Sequence, residues 1–174
     1  MLTAGARFRT RIDSVKKTLA QRVLNSQHVP YRITEYDSSG KFHTGEEAAA
    51  LVGAAPETVY KTLVVLREAP QTGKPILVMI PVAKELDLKL LATGVGEKRL
   101  RMATQKEAER LTGMQVGGIS ALGLRRPGLT VLIDEQARTL ERIHVSAGLR
   151  GMDLELTVSD LMAVTGAKFV RAVR

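Results

Sequence analysis

Two apolar, β-branched runs, residues 59–66 and 76–82, are separated only by a turn-rich segment holding Pro70, Gly73 and Pro75. Such runs favour extended chain, and so short a connection leaves no room for the crossover that parallel pairing needs. The spacing therefore predicts an antiparallel pair. Around it, residues 31–36, 129–133, 142–145, 152–156 and 169–173 read as further strands. Thr44 with Glu47, and Thr104 with Glu107, form capping boxes that open two helices, closed by Gly53 and Gly113. Two more helices are expected near Asp87 and over 159–164. At the N-terminus Ile12, Val15, Leu19, Val23 and Leu24 recur at helical spacing, and Pro30 lies beyond them. Strands and helices mix irregularly, which predicts an α+β fold with a mixed sheet and flanking helices. The 174 residues suit one domain. Residues 1–28 read as a basic helical extension and 29–174 as the domain.

With no cysteine, a disulfide framework, a thiolate metal site and a cysteine nucleophile are all excluded. His28, His43 and His144 are scattered and make no HxxxH or HExxH pair, so no metal site is expected. No run approaches the roughly 18 apolar residues of a membrane span. A cytoplasmic location is the default expectation, with an organellar transit peptide as the alternative for the basic first residues. The net charge of +8 points to a polyanionic partner, against the alternative of a generic basic surface. Aromatic residues make up only 3% of the chain, which disfavours a platform for stacking many bases and favours phosphate contacts.

Three segments carry candidate chemistry. Strand alternation places Lys61 on one face with Val59, Leu63 and Val65, so an ammonium shares an apolar face. Such a lysine either snorkels outward at a strand end or is held in a site. The cluster Gly113, Gly117, Gly118 and Gly123 lets backbone approach a ligand and turn amides toward an oxygen, or is simply a tight loop. It lacks the Gly-Lys-Ser/Thr ending of a P-loop and the GxGxxG pattern, so neither nucleotide hydrolysis nor dinucleotide binding is supported. The loop expected after Val145 carries Ser146, Arg150 and Asp153, with no histidine at a recognised spacing to activate the serine.

Four motifs occur in a fixed order. They are Val59, Tyr60, Lys61, Thr62, Leu63, Val64; Pro81, Val82, Ala83 followed by Leu86, Asp87, Leu88, Lys89; Val116, Gly117, Gly118, Ile119, Ser120 with Leu122, Gly123; and the stretch from Val145 to Asp153. Together they resemble the YbaK/prolyl-tRNA editing family, and within it the Cys-tRNA(Pro) deacylases, over about residues 29–173. The resemblance implies a partly barrel-like sheet and hydrolysis of the aminoacyl ester at the 3′ end of mischarged tRNA(Pro), without metal or cofactor. It makes Lys61 the essential residue. It places Gly117, Gly118 and Ile119 against the aminoacyl carbonyl and terminal ribose, and Thr62, Ser146 and Asp153 around the pocket. Tyr36 and Thr44 match less closely across a loop of variable length. Ala121 replaces the family's usual proline, which bears on the rigidity of the glycine loop.

For cysteinyl-tRNA the resemblance implies that the substrate's own thiol attacks its ester. Other aminoacyl groups require a positioned water. Lys98, Arg99, Arg101, Arg125, Arg126 and Arg150 are the candidate contacts to acceptor-stem phosphates. The expected partner is mischarged tRNA(Pro), with prolyl-tRNA synthetase as a further candidate, and not DNA or a membrane. Two alternatives stay open: a deacylase for alanyl- or another small aminoacyl-tRNA, and a non-catalytic module that binds tRNA or a synthetase.

Overall fold

The computed structural model describes residues 16–39, 43–68, 74–124 and 128–174. Helices α1 (Leu19–Ser26), α2 (Gly45–Val52), α3 (Leu88–Val95), α4 (Gln105–Thr112) and α5 (Val158–Thr165) flank two sheets. The first is β1 (Arg32–Glu35), β7 (Met152–Thr157) and β6 (Arg142–Leu149), in that order and antiparallel. The second runs β4 (Leu100–Met102), β2 (Tyr60–Arg67), β3 (Ile76–Pro81), β5 (Thr130–Asp134), β8 (Lys168–Val170). In it β2 is antiparallel to both β3 and β4, whereas β3–β5 and β5–β8 are parallel. A single parallel bridge between Val59 and His144 links the sheets and gives the partly barrel-like form.

The expected β2–β3 pair forms with Lys61 opposite Ile80. As the central strand of its sheet, β3 is buried on both sides: Leu77 and Met79 enter the main core, while Ile76, Val78 and Ile80 enter a second core under α3. This explains its unbroken apolar sequence. Thr44–Glu47 and Thr104–Glu107 close as capping boxes, and Gly53 and Gly113 end their helices with left-handed backbone.

Elsewhere the structure departs from the expected elements. The N-terminal helix begins at Leu19, because Thr18 caps it and forms its own box with Gln21. The helical reading of residues 12–15 lies outside the described residues, and Leu19 is 56% exposed rather than on the inner face. Helix α1 places Ala20 and Leu24 in the main core, so residues 19–26 pack with the domain they were read as extending from. Strand β4 was not anticipated; its three residues are too few to show a period. Strand β6 continues to Leu149 through an irregularity after Ser146, so Ser146 lies in the sheet rather than in a loop, opposite Asp153 on the expected strand β7. Finally, β8 stops at Val170, because the amides of Ala172 and Val173 donate to Asp134 Oδ2 (2.9 and 3.2 Å) instead of continuing a ladder.

Candidate active site

A pocket of about 480 Å³ opens between the two sheets, walled by β2, the start of α2, the start of α4, the glycine loop and the β6–β7 hairpin. Lys61 enters it from β2. Its Nζ donates to Val82 O at 3.4 Å, a long bond, and among the described residues no carboxylate lies within ion-pairing distance. Partial burial holds its ammonium below the usual lysine range, a tendency opposed by Glu85 and Glu46. Two backbone bonds define the strand edge beside it. Val82 N–H donates to Val59 O and Ala103 N–H to Val64 O, so the backbone polar groups of odd residues of β2 point toward β3 and those of even residues toward the opposite edge. Strand β4 pairs only with 65–67, which leaves the edge at Thr62 bordering the pocket.

Opposite lies Asp153. It pairs with Ser146 on β6 and Thr34 on β1, and is only 7% exposed. Burial pushes its carboxyl up to about 6. Tyr36 lies near it, its phenol pushed up to about 12 by burial and by the Asp153 charge, with its ring edge-on to His43. Ser146 Oγ accepts the Gly148 amide at 3.1 Å, which secures the bulge.

The raised carboxyl of Asp153 has a stability consequence. Its ordinary value is 3.8, and holding it near 6 in the folded protein corresponds to about 3 kcal/mol, at roughly 1.36 kcal/mol for each tenfold change in proton affinity. For an acid shifted upward, this stabilisation is complete below pH 3.8 and is lost as pH rises through about 6. Asp153→Asn is therefore expected to gain up to about 3 kcal/mol over wild type at pH 7.5 and little at pH 4. Urea unfolding of both proteins at the two pH values checks this; an equal difference at both would contradict it.

The glycine loop is fixed from two directions. Glu109 Oε1 accepts the Val116 amide (3.1 Å), and Arg150 Nε donates to the Val116 carbonyl (2.6 Å). Gly118 packs against the hairpin backbone: a Cβ there would lie 2.7 Å from Arg150 N, so only glycine fits. Its amide donates to Gln115 O, which leaves Gly117 and Ile119, rather than all three loop residues, facing the pocket. Ala121 opens a buried 3-10 turn and packs into the main core.

The other candidate residues divide clearly. Lys61, Thr62, Tyr36, Thr44, Gly117, Ile119, Ser146, Asp153 and Arg150 border one pocket. Thr44 also uses its hydroxyl to cap α2. Arg101 is held by a bidentate pair to Glu107, both contacts 2.8 Å, and does not border the pocket. Lys98 and Arg99 are exposed and outside its wall; Arg125 and Arg126 lie outside the described residues. Ser38, His43, Val82, Met102 and Gln105 also line the pocket and were not anticipated. Val82 lies in the motif Pro81, Val82, Ala83, and Gln105 follows the capping Thr104 at the start of α4; the other three carried no sequence signal. Among the described residues no group of three or more His, Asp or Glu is arranged to hold a metal, and no helix is long and apolar enough to cross a membrane.

The model of the aminoacyl-tRNA editing domain matches residues 40–164, which contain Lys61, the glycine loop and Asp153. The chain belongs to the aminoacyl-tRNA editing family. Over 154 residues it is 36% identical to an Enterococcus faecalis protein provisionally named Cys-tRNA(Pro)/Cys-tRNA(Cys) deacylase EbsC, covering 88% of this chain and 92% of that one. A weaker match, 24% over 106 residues, lies within the proline–tRNA ligase of Limosilactobacillus fermentum and takes in 60% of this chain and 18% of the ligase. Among solved structures, a protein provisionally described as a trans-editing enzyme for prolyl tRNA synthetase superposes with a TM-score of 0.75 at 27% identity. That match covers 90% of this chain and 95% of that one. The hypothetical protein APE2540 superposes with a TM-score of 0.78 at 26% identity, covering 90% and 99%. The YbaK-type editing fold expected from the motifs is thus the fold observed.

Proposed function

We propose that this protein is a trans-acting deacylase that hydrolyses the 3′ aminoacyl ester of mischarged tRNA(Pro), with Cys-tRNA(Pro) as its main substrate. The observation that carries this reading is the Lys61 ammonium, half-buried at a pocket wall with no carboxylate partner among the described residues, beside a braced glycine loop. An aminoacyl ester is already activated. A cation and amides aligned on its developing oxyanion lower the barrier by several kcal/mol without an enzyme nucleophile. Lys61 supplies the cation, and the inward-facing part of the glycine loop and the Thr62 edge supply the dipoles. For a cysteinyl ester the substrate thiol attacks its own carbonyl, the C–O bond to the ribose breaks as the 3′ oxygen takes up the thiol proton, and water then opens the released thiolactone. No enzyme nucleophile is required, and Ser146 serves the bulge instead. The likeness to EbsC supports the cysteinyl assignment. The reaction needs no cofactor, and a cytoplasmic place beside prolyl-tRNA synthetase suits it.

The decisive comparison is cysteinyl- against seryl-tRNA(Pro), which match in size and differ in nucleophile. Deacylation of the seryl ester is expected to be slower by at least tenfold. Equal rates would indicate a positioned water and move the protein to the alanyl-type specificity; no turnover of any mischarged tRNA(Pro) would leave a binding module.

Phosphate contacts are assigned to Lys98, Arg99, Arg125, Arg126 and the exposed Arg150, whose Nε alone is used on Val116 O, and to Arg101 only where it can leave its pair with Glu107. Neutralising Arg125 and Arg126 together should raise KM for tRNA and flatten the log-log slope of its salt dependence by about one to two, with kcat nearly unchanged. A double variant with wild-type KM and salt slope would show that the acceptor stem approaches from another side.

A further inference from the structure

The pocket holds one charged group that the deacylation step leaves unused. Asp153 is 7% exposed, and among the described residues nothing donates a hydrogen bond to its carboxylate or pairs with it. Its oxygens are nevertheless not sealed in the protein, because Asp153 forms part of the pocket wall. Withdrawing a lone carboxylate from water costs several kcal/mol, so a buried one without a protein partner is either a liability or half of a pair completed by a ligand. Lys61 does not complete it: that ammonium donates to Val82 O, and the carboxylates whose charge acts on it are Glu85 and Glu46 rather than Asp153. A metal ion would need further ligands, and the described residues offer no such group. A small organic cation with N–H donors supplies both the charge and the hydrogen bonds that such a carboxylate lacks.

Resting on the deacylase reading above, we propose that Asp153 binds the protonated α-amino group of the aminoacyl ester, so that the enzyme takes free aminoacyl esters and refuses N-acylated ones. The pocket then carries two poles. Lys61 serves the acyl oxygen and Asp153 the ammonium, which sits one carbon from the acyl carbon. Tyr36 stays neutral beside Asp153 and adds a polar wall without competing for the charge. An acyl cap on the amine abolishes its charge and leaves the carboxylate buried and unpaired, a penalty large enough for strong discrimination. The functional consequence is that peptidyl-tRNA and formylated initiator tRNA are spared.

Two measurements on wild type and Asp153→Asn test this. The first is binding of a non-hydrolysable analogue, 3′-amino-3′-deoxyadenosine carrying an amide-linked cysteine, against the same analogue made from 3-mercaptopropionate, which keeps the thiol and lacks the amine. Wild type is expected to prefer the amine-bearing form by at least tenfold, and Asp153→Asn to lose most of that preference. The second is kcat/KM for tRNA(Pro) esterified with each acid, where the variant should lose at least tenfold more on the cysteinyl ester than on its desamino counterpart. Comparing the two losses cancels the different intrinsic reactivity of the esters. Equal losses on both forms, or an undiminished binding preference in the folded variant, overturn the ammonium site. Wild-type binding preference without hydrolysis would instead overturn the deacylase reading and leave the site standing.

Discussion

Lys61→Ala should reduce single-turnover deacylation of cysteinyl-tRNA(Pro) by about 10²–10³-fold while the protein keeps its fold. The reasoning follows from what the ammonium touches. Its one hydrogen bond, to Val82 O, is long, and the β2–β3 register is carried by backbone from Tyr60 to Val65. The fold therefore loses little. A half-buried charge is removed as well, so thermal stability should be unchanged or slightly higher. Lys61→Arg is the informative companion, because it keeps the charge but swaps a compact ammonium for a planar fork. It should recover only part of the activity. A folded Lys61→Ala protein with near wild-type turnover would remove the lysine from the mechanism.

Asp134→Ala should cost about 4 kcal/mol and lower the melting temperature by roughly 8–16 °C. Asp134 ends β5, is 1% exposed, and accepts three backbone amides: Gln136 through Oδ1 at 3.0 Å, Ala172 and Val173 through Oδ2. Truncation leaves the last two buried and unsatisfied, since no strand pairs with them, and frees the C-terminal segment whose Ala172 carbonyl receives the Asp87 amide. The effect should be on stability and not on the reaction. Urea unfolding gives the loss directly. A change below about 1 kcal/mol would mean that the C-terminal segment is held by Ala172 and Val173 packing and by its contacts with Asp87 rather than by Asp134.

Local features of the fold were legible because local physics decides them. The capping boxes at Thr44 and Thr104 need only four consecutive residues, and the β2–β3 pair needs only two runs and a short turn. Lys61 stood out because a charge breaks an otherwise apolar alternation. Long-range features were not legible. Arg150 reaches Val116 across 34 residues and Asp134 reaches Ala172 across 38, and neither contact leaves a periodic trace. Ser146 looked like a loop residue because Gly148 and Gly151 follow it, yet one bulge lets β6 continue past it. The contacts of Arg101 with Glu107 and of Arg150 with Val116 were hidden for the same reason, since these partners become neighbours only on folding.

The central claim is that one pocket, with Lys61 at its wall, cleaves the ester of mischarged tRNA(Pro). It is tested most directly by single-turnover deacylation of cysteinyl-tRNA(Pro) and correctly charged prolyl-tRNA(Pro) by purified wild-type protein, with no synthetase and no added metal. The cysteinyl ester should be cleared far faster than its spontaneous hydrolysis, and the prolyl ester should decay at the uncatalysed rate. Loss of both esters at the uncatalysed rate, or cleavage of both alike, would contradict it.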